Sequence, residues 1–232
     1  MNESLQSFGG LATGSGSLAA QRHRVLRNTY WLLALSLVPT VLGAWIGVST
    51  GLMSAMGPGL SLVIFLAGSF GLMFAIEKTK DSAAGVGVLL AFTFFMGLML
   101  SRLLAVVLSK GNGAALVMTA FGGTAGVFFV MATLASVIKR DLSGMGKFLM
   151  VGALVVFVAG LINVFVQSGA MFLTLSVLCI GLFSAFMLYD IKRIIDGGET
   201  NYITATLAIY LDVINVFQNL LALLGIFGGE RD

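Results

Sequence analysis

The chain has 232 residues, 58% of them hydrophobic and only 10% charged, and its mean hydropathy of +1.03 lies far outside the range of water-soluble domains. A net charge of +3, with the basic residues scattered over short loops, offers no face for nucleic acid. One cysteine, Cys179, and one histidine, His23, exclude an intramolecular disulfide and a His/Cys metal cluster, so composition points to a single helical domain in a lipid bilayer, with no cofactor.

Residues 1–20 are rich in Ser, Gly and Ala with almost no charge, and are expected to form a disordered tail on the cytoplasmic side, with residues 21–232 as the membrane domain. A long polar tail ahead of a full-length apolar run is not the pattern of a cleaved signal, so the first span reads as a retained anchor. "QRHRVLRNTYW" then sets Arg22, Arg24 and Arg27 ahead of Tyr30 and Trp31, the order expected at a membrane interface.

Seven apolar runs follow, each long enough to cross a hydrocarbon core of about 30 Å as a helix. They cover residues 29–48, with a kink expected at Pro39, then 60–76, 83–108, 114–138, 148–166, 171–191 and 202–227. Arg102 lies in the last turns of the third, where its side chain can snorkel. The connections are short: "STGLMSAMGPG", "EKTKDS", "SKGNG", "KRDLSGMGK", "QSGA" and "KRIIDGGETN".

Charge gives an orientation. Arg22, Arg24 and Arg27 fall on one side with Lys78, Lys80, Lys139, Arg140, Lys147, Lys192 and Arg193, whereas the other side has Lys110 and Arg231, with Arg102 near it. The positive-inside pattern places the N-terminus in the cytoplasm and the C-terminus outside. Thirty glycines favour close helix approach, and Gly43 with Gly47 and Gly122 with Gly126 have the spacing for it. Packing within one bundle is the expected use of both pairs; the sequence assigns no oligomeric state.

Two carboxylates stand out. Asp190 near the end of the sixth span and Asp212 within the seventh flank the same short loop, so antiparallel packing would let them meet. A charge in hydrocarbon costs roughly 2.5–3.5 kcal/mol on insertion scales, and its presence asks for a function. Two close carboxylates would share a proton or hold a cation, which makes a pH-sensing or cation site, with transient calcium on Asp190 and Asp212 and no fixed metal. The ordinary alternative for Asp190 is an ion pair with Arg193 at i+3. Asn215 and Asn219, with Gln218, extend a polar stripe from Asp212, either as accessory groups or as interhelical hydrogen bonds. Glu77 is either a third acid or a solvated helix end, and Asn163 shares a face with Gln167 on the fifth span. "GGETNYI" lacks the G-x-x-x-x-G-K-[ST] of a phosphate loop. Aspartyl proteolysis is a remote alternative, since "IYLDVI" lacks the glycine expected beside the second aspartate of such a dyad.

"YD" at the end of the sixth span, "GGETNYI", and "AIYLDVINVFQNLLALLGIF" resemble the Bax inhibitor-1 family of seven-helix membrane proteins. "HRVLRNTYWLLALSL", "GGTAGVFF" and "KRDLSGMGKFLMVG" are similar to its bacterial YccA-type branch. The resemblance implies an all-α bundle of two-helix layers around a central seventh helix, in the bacterial inner membrane. It also implies an acid pair, here Asp190 and Asp212, that acts as a pH-sensitive latch on a calcium leak. For the YccA-type branch it implies a non-enzymatic role as partner and modulator of the membrane protease FtsH, which could grip the N-terminal tail. Some calcium-leak members carry an arginine in the second span; none occurs here between Gly59 and Ile76.

Overall fold

Within a bilayer no water reaches the backbone N–H and C=O groups, so each apolar run must satisfy its own hydrogen bonds, as a helix does. The computed structural model describes residues 3–228, with side chains from Ala19 onward, and among these residues there are eight helices and no strand. They are α1 (Glu3–Thr50), α2 (Leu52–Ala55), α3 (Pro58–Thr79), α4 (Ala83–Leu108), α5 (Gly113–Val137), α6 (Met145–Val166), α7 (Gly169–Asp196) and α8 (Tyr202–Phe227). Seven are long and apolar enough to cross a membrane, α1 from Ala19 on, so the protein is an all-α, seven-span membrane bundle. Helix α1 begins inside the segment expected to be a tail, of which only Ala19 and Ala20 have described side chains. Arg231 lies outside the described residues.

Helices α4 and α8 coincide with residues 83–108 and 202–227. Helix α7 instead overruns its expected end and reaches Asp196, because a glycine stops it and not a fall in hydropathy. Gly197 takes the left-handed conformation (φ 84°), and the N–H groups of Gly197 and Gly198 bond back to the carbonyls of Ile194 and Arg193 at 3.1 and 2.8 Å. The first connection contains α2, a single turn entered at Gly51 (φ 64°), and Pro58 opens α3 at a position where a missing N–H costs nothing. Helix α1 continues through Pro39 as one element.

Neighbours in the bundle are not always neighbours in sequence. The principal partner of α1 is α4, and glycines let their backbones touch. A β-carbon on Gly43 would collide with the Phe94 carbonyl, one on Gly97 with the Thr40 carbonyl, and one on Gly47 with the Ser101 hydroxyl. Gly122 and Gly126 behave differently from the expectation: on α5 they are exposed and a β-carbon on either would meet nothing. Helix α8 packs against α7, α5, α1 and α4, and buries residues along its whole length, from Ile203 to Gly225. Helices α3 and α6 are peripheral: α3 rests on α4 with only Ser69 and Ile76 buried, and α6 rests on α7 with only Leu149 buried.

Four segments gather at one end of the bundle. The Asn201 amide donates to the Lys80 carbonyl and to Asp81 Oδ1, both at 2.9 Å, joining the α7/α8 loop to the α3/α4 loop. The Arg22 guanidinium sits against Gly197, and Asp141 of the α5/α6 loop lines one cavity with Lys192. The Asn112 amide is bonded to the Gly228 carbonyl at 2.8 Å, joining the α4/α5 loop to the far end of α8.

Candidate functional site

The site is a helical hairpin whose two arms are capped by their own sequence. Ser168 accepts the Met171 N–H at 3.3 Å to start α7, and Gly197 ends it. Asn201 Oδ1 accepts from the N–H groups of Ile203 and Thr204 at 2.9 and 3.3 Å to start α8. Glu199 Oε1 accepts the N–H groups of Thr200 and Asn201, so the turn between them is tied at each step. The hairpin is therefore antiparallel and fixed at its base.

Asp190 lies six residues before the end of α7 and Asp212 ten residues into α8, and their carboxyl groups are close enough to interact. Asp212 is only 4% exposed, and its Oδ2 has no further partner; Asp190 is half-buried. The alternative for Asp190, an i+3 ion pair with Arg193, is not made. That guanidinium turns to Glu199 at 3.6 Å and to the Gly198 carbonyl at 3.3 Å, because the closing turn after Gly197 brings both within its reach. Among the described residues, no lysine or arginine forms an ion pair with either aspartate.

The other polar residues singled out in the sequence are not drawn into this contact. Asn215 donates to the Leu211 carbonyl and Asn219 to the Asn215 carbonyl, each at 2.8 Å, so both amides bond to their own helix and not across to a neighbour. Gln218 donates to Asn215 Oδ1 at 3.1 Å. Glu77 is a solvated helix end paired with Lys80. Asn163 closes the α6/α7 turn, accepting the Ser168 N–H at 3.1 Å, at the opposite end of α7 from Asp190.

Two features escaped the sequence. One is a cavity of about 180 Å³ at the foot of α7, lined by Asp141, Ser143, Tyr189, Lys192, Arg193 and Asp196 among others, with the nearly buried Lys192 ammonium 2.8 Å from Asp196 Oδ1. The N–H and O–H of Ser143 hold the Asp141 carboxyl below the usual carboxylate range. The other is Tyr210, fully buried and bonded to α1 and α4. Tyrosine in an apolar run reads as packing, and nothing in its spacing reveals a partner 170 residues away.

Chemically, the acid contact offers carboxylate oxygens, one of them unpartnered, in a buried setting. Among the described residues, no three of His, Cys, Asp and Glu come together. A hard cation held here would need carbonyls or water to complete its shell.

Comparison with known proteins agrees with this architecture. The family described as Inhibitor of apoptosis-promoting Bax1 matches residues 22–229. The chain is 40% identical over 203 residues to "Modulator of FtsH protease YccA" of Escherichia coli K12, a match that covers 88% of this chain and 90% of that one. The same identity and coverage hold for "Inner membrane protein YccA" of Escherichia coli O6:H1. It is 36% identical over 218 residues to an "Uncharacterized membrane protein" of Vibrio cholerae, covering 94% and 96% of the two chains. Near-complete coverage on both sides, over the seven spans described above, establishes that the chain belongs to the Bax inhibitor-1 family.

Proposed function

We propose that this is a non-enzymatic, multi-pass inner-membrane protein that modulates an FtsH-type membrane protease. The observation that carries this reading is the likeness over nearly the whole chain to a protein named as such a modulator. The basic residues Arg22, Lys80, Lys192 and Arg193 meet at one end of the bundle, which supports a cytoplasmic N-terminus, the side on which an ATP-driven protease would grip residues 1–20. The packing of α8 against α1, α4, α5 and α7 supports the central position that the family resemblance implies for the seventh span. Deleting residues 1–20 should lengthen the protein's lifetime in cells that contain the protease and leave it unchanged in cells without it. Equal lifetimes in the two backgrounds, with no co-purification of the protease, would overturn this reading.

A second reading rests on the contact between Asp190 and Asp212. We infer that the pair shares a proton and latches a cation path, because two neighbouring carboxylates without an ion-pair partner cannot both be charged at low cost. Protonation state and calcium would then compete for the same oxygens. In liposomes, calcium flux should vary from mildly acidic to neutral pH, and Asp212→Asn should flatten that profile. A profile that Asp212→Asn leaves intact would remove the latch.

A further inference from the structure

Helix α8 carries polar groups on two opposed faces. Tyr210 and Asp212 are two residues apart, hence about 200° around the helix. The Asp212 face meets α7. The Tyr210 face meets α1 and α4, where its ring stands edge-on to Phe92 with centroids 6.1 Å apart. The Tyr210 hydroxyl lies 2.9 Å from Thr40 Oγ1 and 3.4 Å from the Thr93 carbonyl. Thr40 already donates its own proton to the Ser36 carbonyl at 2.8 Å, so the single Tyr210 proton points toward Thr40 Oγ1 and is shared, at longer range, with the Thr93 carbonyl.

Thr40 and Thr93 lie on the closely packed α1/α4 pair. The Thr40 carbonyl is the one that a β-carbon on Gly97 would strike, so this part of α1 is pressed against the α4 backbone. The amides further along α8 give no comparable hold, because Asn215 and Asn219 bond to α8 itself. A rotation of about 20° would carry a side-chain tip at a radius of roughly 5–6 Å through about 2 Å. That is enough to open a hydrogen bond between two carboxyl groups.

We propose that Tyr210 is a positioning residue for the acid pair: its hydroxyl, seated on Thr40 and Thr93, fixes the rotation of α8 at which Asp212 meets Asp190. The inference rests on the shared-proton reading of that pair. The charged groups that act on the pair are Arg193 and Glu199 at the end of α7 and in the loop that follows. Of the other helices packed on α8, α5 has no ionisable side chain, α4 has only the exposed Arg102, and α3, which touches α8 lightly, has Glu77 and Lys78 at its end. Helix α1 has Tyr30 and, nearer its start, Arg22, His23, Arg24 and Arg27.

The test is infrared titration of the protonated-carboxyl C=O band in the full chain reconstituted in lipid, with helix content and thermal melting followed in parallel. Wild type should show a band that titrates and is lost in Asp212→Asn. Tyr210→Phe keeps the ring and should move the titration midpoint by about half a pH unit, roughly threefold in proton affinity. Thr40→Val should give the same shift, Thr40→Ser should restore wild-type behaviour, and the double variant Tyr210→Phe/Thr40→Val should go no further than either single one. A band lost in Asp212→Asn but with an unmoved midpoint in Tyr210→Phe and Thr40→Val overturns the positioning role alone. A band that survives Asp212→Asn, or the absence of any titrating band in wild type, overturns the shared-proton reading beneath it. Should Tyr210→Phe melt early, Thr40→Val against Thr40→Ser carries the same decision.

Discussion

The seam between α1 and α4 and the contact between α7 and α8 are both helix packings within one bundle, held by opposite means. In the seam, glycines bring the backbones together, and beside them Ser36 and Thr40 bond to carbonyls of their own helix, with Thr40 taking Tyr210 as well. At the hairpin, two acids meet, and one buried oxygen of Asp212 is left without a partner. Helix association in lipid draws on close packing and hydrogen bonds, not on the expulsion of water. The seam therefore looks optimised for stability, whereas an unpaired buried carboxylate oxygen is tolerated where a site needs it.

The largest expected effect lies in the seam. Gly97→Leu should destabilise the bundle by about 3 kcal/mol or more, since the Thr40 carbonyl has no room to withdraw. Gly122→Leu, where space is open, should stay within about 0.5 kcal/mol. Thermal melting in detergent compares the two, and similar losses would break the contrast between a packed and a free glycine pair. Next comes the hairpin. Replacing both acids by leucine should leave the fold intact and be neutral or stabilising by about 1–2 kcal/mol, with a melting temperature less sensitive to pH. A collapse of the fold in that variant would mean the acids act as structural glue.

Smaller effects sharpen the comparison at the hairpin's base. Lys192→Met removes the contact with Asp196, which is partly exposed, and should cost about 1 kcal/mol or less in melting experiments. Asp141 is fully exposed, and its carboxyl sits below the usual range because Ser143 bonds to its charged form. Its contribution is complete above the ordinary carboxylate value of about 3.9 and is lost only as the pH falls through the lowered one. The Ser143 amide resonance should accordingly hold its position at neutral and mildly acidic pH and move only in stronger acid. A shift near neutrality would show that the turn depends on some other group.

The spans were legible because hydropathy and run length are properties of each segment by itself. The side-by-side packing of α7 and α8, which carry Asp190 and Asp212, was legible because the loop between them is too short to allow anything but adjacent helices. What stayed hidden depends on which face of a helix meets protein. Gly43 with Gly47 and Gly122 with Gly126 share one spacing, yet only the first pair is packed, since spacing fixes a face and not its neighbour. Asn215 and Asn219 read as accessory groups or as interhelical hydrogen bonds, and carbonyls of their own helix take them instead. Glu77, read as a third acid or a solvated helix end, is the solvated end, paired with Lys80. Tyr210 carried no signal, because its partners arrive only through tertiary packing.

The pairing of α1 with α4 also has a consequence for the order of assembly. Gly97 leaves the ribosome 50 residues after Gly47, an interval of roughly 3–10 s at 5–20 residues per second. Throughout it, α1 must wait in the bilayer without its principal partner, its small-residue groove open to lipid. The hydroxyls of Ser36 and Thr40 are already closed onto carbonyls one turn back, so the waiting helix exposes few bare polar groups to the acyl chains. Self-contained bonding of this kind lets an early span idle safely until a late one arrives.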